Sequence, residues 1–176
     1  MSELVSSRII YSGKVLTLRL DEVVSPSGKI SLREVVEHNG AVAVVAHGAD
    51  GEVLLVRQHR HAAGKDLLEV PAGGIDPGET PEQTVLREMQ EETGFLPGTI
   101  RRLGGFYSAP GFSNEYLHIF LAESLLPARL FAEDTEEISV VKVPLDEIPG
   151  LIACGQIEDA KSIAGLLMYL NRKSAG

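Results

Sequence analysis

Glu88, Glu91 and Glu92 are spaced at i, i+3 and i+4. If that stretch is helical, the three carboxylates share one edge. Val85, Leu86 and Met89 then form an apolar stripe beside them. Arg87 stands four residues before Glu91, where the two can pair. Clustered carboxylate oxygens suit a hard divalent cation such as Mg²⁺, which takes oxygen ligands and keeps several waters. Like charges four apart cost a helix only about 0.2–0.5 kcal/mol per pair. Spacing alone therefore leaves a second reading open, an acidic face turned to solvent.

The helix that must carry these residues has clear ends. Thr80 is a good N-cap, Pro81 suits the first helical position, and Gln83 completes a capping box. Gly94 is a natural C-terminal stop. The wider frame reads Gly73-x5-Glu79-x7-Arg87-Glu88-Met89-x-Glu91-Glu92-x-Gly94-Phe95. Its fixed Gly, Glu and Arg positions agree by chance on the order of 10⁻⁸ per starting point.

This string resembles the Nudix box at every specified position. The resemblance implies that Glu88 and Glu92 are metal ligands and that Glu91 and Glu92 belong to the catalytic set. Arg87 would orient the acidic cluster by pairing with Glu91, and Glu79 would be a supporting ligand or a brace. Gly73 is read as the residue that lets the backbone turn tightly before the helix, so that the carbonyl of Ala72 faces a metal. Two or more Mg²⁺ ions, with Mn²⁺ as the alternative, would clamp a pyrophosphate, neutralise its charge and activate a water.

The similarity extends over roughly residues 8 to 170. The stretches Val56-Arg57-Gln58-His59-Arg60, Leu67-Leu68-Glu69-Val70-Pro71-Ala72-Gly73-Gly74 and Ser108-Ala109-Pro110-Gly111-Phe112-Ser113-Asn114-Glu115 look like the ADP-ribose pyrophosphatase branch. So does Gly155-Gln156-Ile157-Glu158-Asp159-Ala160-Lys161-Ser162. The branch implies hydrolysis of ADP-ribose to AMP and ribose 5-phosphate. Arg60 is the first choice for a phosphate contact, because a guanidinium fork matches phosphate oxygens, and Arg33 the second. Gly111 and Glu115 stand where the branch's loop meets the terminal ribose, and Pro110, sixteen residues after Gly94 as is typical of the branch, is counted with them as substrate-binding. His59 and His61 are read as surface or packing residues.

In the acidic loop Ala132-Glu133-Asp134-Thr135-Glu136-Glu137, Glu136 aligns with a further metal ligand and Asp134 with the general base. Members usually carry glutamate at the base position, so Glu133 or a helix glutamate stands as the alternative. The rival functions are hydrolysis of another nucleotide sugar, such as ADP-glucose or GDP-mannose, and a non-catalytic nucleotide-sensing Nudix domain.

The elements that must position these residues alternate between strand and helix signals. Val15–Leu20 and Ile30–Val36 alternate around the turn Ser25-Pro26-Ser27-Gly28 and read as an antiparallel meander. Ala41–Ala46 is a continuous apolar run that suits a strand buried on both faces. Val53–Arg57 follows a Gly48–Gly51 turn. Further strands are expected near Leu103–Tyr107, Tyr116–Ala122 and Ile138–Val143, and helices near Leu145–Ala153 and Asp159–Leu170. The fold class is α/β: a Nudix α/β/α sandwich with a mixed sheet, preceded by the antiparallel meander. Residues 1–38 form the meander, expected from the branch to swap between subunits of a homodimer. Residues 39–176 form the catalytic domain.

Composition adds exclusions. A formal charge of −9 over 176 residues disfavours a nucleic-acid partner. An anionic substrate therefore needs arginines or metal ions to reverse the local sign. No stretch approaches the roughly 18 apolar residues of a membrane span, and the N-terminus lacks a signal-peptide pattern. One cysteine, Cys154, fits a reducing compartment. The reading is a cytoplasmic protein with no membrane partner. Cys154 lies beside Leu151, Ile152 and Ala153 and is read as a small buried hydrophobe.

Overall fold

The apolar run from Ala41 to Ala46 has no side chain that needs water, and it becomes the centre of the main sheet. A computed structural model describes residues 1–132 and 137–174. In it, β4 (Ala41–His47) is buried from Ala41 to Ala46. It runs parallel to β9 (Tyr116–Pro127), with Ala41 opposite Leu117 and Ala46 opposite Ala122. Its other neighbours are antiparallel: β5 (Glu52–Arg60), where Ala46 faces Leu54, and the short β7 (Ala72–Gly74), where Ala43 faces Ala72. β5 pairs in turn with β6 (Lys65–Glu69) and with β10 (Ser139–Pro144). β8 (Phe95–Tyr107) closes the far edge beside β9.

Both faces of β4 are covered, as a strand without polar side chains requires. Val42, Val44 and Ala46 pack with Val85 and Met89, together with Leu54, Phe120 and Ala122. Val85 belongs to α1 (Pro81–Glu88), and Met89 opens the turn that continues it. On the opposite face α3 (Ala160–Ser174) brings Gly165 against Val45 and Ile119, and Leu166 is fully buried. A short helix, α2 (Ile148–Ala153), precedes it. The α/β/α sandwich with a mixed sheet is therefore observed. Among the described residues no helix is long and apolar enough to cross a membrane.

The chain divides into two compact units: Met1–Gly40 with Phe106–Tyr116, and Ala41–Gly105 with Leu117–Gly176. The first holds an antiparallel sheet in the order β1 (Glu3–Ser12), β2 (Thr17–Val24), β3 (Ile30–Glu37). The expected meander is present and carries one more strand than alternation revealed. β1 hides from a period-2 reading because Ile9, Ile10 and Tyr11 are consecutive and all exposed. Asp21, the buried residue of β2, accepts from Ser7 Oγ at 2.6 Å and from Arg19 Nε at 3.0 Å, which ties β1 to β2. These bonds, that from Ser7 first, hold its carboxyl below the ordinary carboxylate range.

Two local expectations need correction. Cys154 is exposed, not buried. It caps α2, and its Sγ is turned toward the Leu151 carbonyl at 3.6 Å. Leu86 is only half-buried, and Thr84 lies in the interior instead. Thr84 is accepted there because its hydroxyl is bonded to Glu79 Oε2 at 2.8 Å.

Candidate active site

The acidic edge is built on α1 and the turn that continues it. Thr80 Oγ1 accepts from Gln83 N, and Gln83 Oε1 accepts from Thr80 N, so the capping box forms as expected. Gly94 ends the helical stretch at φ 80°, a left-handed conformation that glycine adopts without strain. Between them the helix changes character. Residues Met89–Thr93 form a π turn, not an α-helical one. Single π turns recur at functional sites because they re-aim side chains that an α-helix would leave elsewhere. A uniform 100° wheel therefore misplaces the residues after Glu88.

Glu88 and Glu92 are both buried, at 9 % and 6 % exposure. Neither is solvated, which removes the reading of an acidic face turned to water. Glu92 Oε2 accepts the Ala72 backbone N–H at 3.0 Å. Glu88 lies directly against Gly73, where an added Cβ would overlap its carboxylate. Gly73 is thus required for close approach, and the expected tight turn is corrected: it sits in strand β7 with no positive φ.

Arg87 is the hub that holds the edge together. Its Nε and Nη2 donate to Glu79 Oε1 and Oε2, both at 3.0 Å, and Nη2 also donates to the Gly74 carbonyl at 3.1 Å. Nη1 donates to Glu88 Oε1 at 2.6 Å and to Glu91 Oε2 at 3.2 Å. The expected Arg87–Glu91 pair exists, but the bidentate fork goes to Glu79. Glu79 is a brace, and the Arg87 bonds hold its carboxyl down at about 2. Arg87 in turn is pushed above its ordinary value by the same bonds.

The opposite shift marks Glu92. Burial pushes its carboxyl up to about 8; the Ala72 N–H opposes this and the Glu88 charge reinforces it. Two buried carboxylates that repel each other in this way need positive charge. Arg60 and Lys161 supply some, since both lower the proton affinity of Glu92.

Among the described residues no three or more His, Cys, Asp or Glu side chains converge into a cage for an ion. The donors present still fit a cation that retains most of its water: two buried carboxylates beside the Ala72–Gly73 backbone, all oxygen, with an excess of negative charge. A site lined by His and Cys would suit zinc instead.

Arg60 ends β5 and is partly exposed, with Nε and Nη2 donating to Glu69 Oε1 and Oε2 at 2.7 and 2.6 Å. Ala72, Glu88, Glu91, Glu92, Arg87 and Arg60 all belong to the unit built on β4. His59 is exposed and lies 3.0 Å from Asp66. Arg33, Pro110, Gly111 and Glu115 belong to the other unit. There Arg33 is exposed on β3, with Nη1 donating to the Leu32 carbonyl at 3.3 Å. The Ala109–Glu115 loop is fastened to β3: Val36 N donates to Phe112 O at 2.7 Å and Asn114 N to Val36 O at 3.2 Å. Asn114 Oδ1 accepts from His38 N at 2.8 Å, and Glu115 Oε1 lies 3.7 Å from His38 Nδ1. Asp134 and Glu136, with Glu133, lie outside the described residues.

Glu69, Asp159, Lys161 and Ser162 form a hydrogen-bonded group with Arg60 that the sequence reading does not single out. The signals were present: a lone glutamate in the apolar run Leu67–Val70, and a cap-like Asp159-x-x-Ser162 before an apolar helix.

The fold and this buried acidic edge define an α/β/α sandwich protein with two buried carboxylates set against a strand backbone, a donor set of the kind that suits an oxygen-liking cation. Comparison with known proteins agrees. The sequence matches the NUDIX domain model over residues 37–166 and the nucleoside diphosphate sugar hydrolase N-terminal domain model over residues 3–36. The chain belongs to the Nudix family, which bears out the expectation of a Nudix pyrophosphohydrolase. It is 40 % identical over 168 residues to the ADP-ribose pyrophosphatase of Bacillus subtilis (strain 168), an alignment covering 94 % of this chain and 90 % of that protein. It is 36 % identical to the methanol dehydrogenase activator of Bacillus methanolicus, with the same two coverages. The crystal structure of an ADP compounds hydrolase superposes with a TM-score of 0.89 at 22 % identity, covering 99 % of this chain and 96 % of that one, which shows the shared fold.

Proposed function

We propose that this chain hydrolyses the pyrophosphate bond of ADP-ribose, giving AMP and ribose 5-phosphate, with Mg²⁺ as its cofactor and Mn²⁺ as the alternative ion. The observation that carries the chemistry is the pair of buried carboxylates, Glu88 and Glu92, pressed against Ala72–Gly73. The likeness to the Bacillus subtilis enzyme over nearly the whole chain supports the substrate.

Glu88, Glu92 and the Ala72 carbonyl would hold metal, and Glu136 would supply one further ligand. When bound, divalent ions neutralise the diphosphate and make a water nucleophilic near neutral pH. Arg87 is a positioning residue: it fixes Glu88 and Glu91 and is itself fixed by Glu79. Arg60 contacts a phosphate, and Arg33, Pro110, Gly111 and Glu115 meet the rest of the substrate. Asp134 takes the proton from the attacking water, with Glu133 as the alternative.

The first unit, residues 1–38 at its core, is proposed to pair with a second copy. β1 exposes Leu4, Val5, Ile9, Ile10 and Tyr11, each at half or more of its surface, and isolated apolar strands of that kind are normally covered. The single cysteine supports a cytoplasmic location.

The test is a panel of ADP-ribose, ADP-glucose, GDP-mannose and nucleoside triphosphates, with released phosphomonoester identified after Mg²⁺ addition. The expected result is highest kcat/KM on ADP-ribose and no turnover with chelator present. Preference for another sugar, or metal-independent turnover, overturns the proposal.

A further inference from the structure

A chain of paired charges, with Glu69 buried at its centre, runs behind the acidic edge. Glu69 ends β6 and is 1 % exposed. The Arg60 fork takes both oxygens of its carboxylate. Oε2 accepts in addition from Lys161 Nζ, which also donates to Asp159 Oδ2 at 2.9 Å. Asp159 sits at the start of α3 and accepts there from Ser162 N at 3.0 Å and Ser162 Oγ at 2.6 Å. Ser162 Oγ in turn accepts the Val70 N–H at 2.9 Å, which joins α3 to the strand end beside Glu69.

Burying one carboxylate costs several kcal/mol unless it is paired. Here the two anions and two cations cancel. Burial pushes the Glu69 carboxyl up, but the bonds from Arg60 and Lys161 outweigh it and leave the group below its ordinary value. Arg60 differs from its partners in being partly open to solvent, with 39 % of its side chain exposed. Its Nε and Nη2 are engaged, and no described residue engages Nη1. A guanidinium gripped along one edge is planar and fixed, so the opposite edge is aimed without further loss of side-chain freedom.

We propose that Glu69 and Lys161 are positioning residues for the substrate phosphate: Lys161, anchored by Asp159, neutralises Glu69, and Glu69 holds Arg60 with its Nη1 edge directed at a phosphate oxygen. This rests on the reading of Arg60 as a phosphate contact. It adds that the contact is prepared from behind by α3, whose Lys161 also lowers the proton affinity of Glu92.

The experiment is a double-mutant cycle on KM and kcat, using the nucleotide sugar that the wild type turns over fastest. Glu69→Gln is expected to raise KM about 10- to 100-fold with little change in kcat. In an Arg60→Ala background the same change is expected to have no further effect on KM. Lys161→Met should resemble Glu69→Gln, and Lys161→Arg should restore the wild-type KM. Should Glu69→Gln fail to fold with Arg60 unpaired and Lys161 left on Asp159 alone, Glu69→Gln with Lys161→Met removes one charge of each sign and is used instead. Calorimetric binding of inorganic pyrophosphate to wild type and variants runs in parallel. If the wild type hydrolyses none of the sugars, the substrate reading fails, while the pyrophosphate affinities still decide the role of Glu69. A KM effect that adds to that of Arg60→Ala, or a lower KM or tighter pyrophosphate binding in Glu69→Gln, overturns the proposal. The first would mean a purely structural role, and the second that Glu69 withholds Arg60.

Discussion

Replacing Glu92 by glutamine separates the cost of the acidic edge from its use. In the folded, metal-free protein the Glu92 carboxyl is raised from 4.5 to about 8, chiefly by burial. A group raised in this way leaves stability intact below its unfolded value and removes it as pH climbs from there toward the folded one. Between those limits each pH unit costs about 1.4 kcal/mol, so at pH 7 the folded state is penalised by about 3 kcal/mol. Glutamine is never charged, and its Oε1 still accepts the Ala72 N–H, so the variant escapes the penalty. In chelator, denaturant unfolding should show wild type and Glu92→Gln similar at pH 4. The variant should be more stable by about 3 kcal/mol at pH 7. Added Mg²⁺ should stabilise the wild type and not the variant, and turnover should fall on the order of a hundredfold or more. A stability difference independent of pH would refute the burial argument, and wild-type turnover in the variant would refute the ligand assignment.

Three further outcomes are expected. Gly73→Ala should displace the Glu88 carboxylate and lower Mg²⁺-dependent kcat on the order of a hundredfold. Gly74→Ala, where nothing lies within 4 Å of an added Cβ, should leave kcat near wild type; equal effects at the two positions would contradict the close-approach argument. Arg87→Met should cost about 2 kcal/mol at pH 7. Because Glu79 is depressed to about 2 from 4.5, that stability is present above pH 4.5 and is lost as pH falls through 2. A urea series that finds the same difference at pH 2 and pH 7 would show that the Glu79 pair is not its source. Sedimentation equilibrium should find two chains per particle, and Ile9→Arg with Tyr11→Arg should give one; a monomeric wild type would remove the pairing proposed for the first unit.

Much of this site is legible in residue type and spacing. Caps and stops are local chemistry, so Thr80, Pro81, Gln83 and Gly94 announce the helix ends correctly. An all-apolar strand announces its own burial, so β4 is readable as the sheet's centre. Other features depend on what arrives from far along the chain. That Glu88 requires Gly73 comes from the packing of α1 on β7, which no periodicity contains. The π turn at Met89–Thr93 defeats a wheel drawn at constant pitch. Glu69 stands out as a lone glutamate in an apolar run, but its pairing with Lys161, 92 residues further on, is set by the tertiary fold and is not contained in either segment. Cys154 misleads because apolar neighbours imply burial only where the backbone itself goes inside, and here it stands at an exposed helix end.

The parallel pairing of β4 with β9 also has a kinetic meaning. Ala41 meets Leu117 only after β5, β6, β7, α1 and the whole of β8 have been traversed, so the whole acidic edge is carried in the segment which that pairing closes. Closing so long a loop is entropically unfavourable until many contacts form together, and such non-local topologies fold slowly. Ala72, Gly73, Glu88 and Glu92 all lie inside the loop that this pairing closes, so the sheet they rest on is completed only at the end of that long closure.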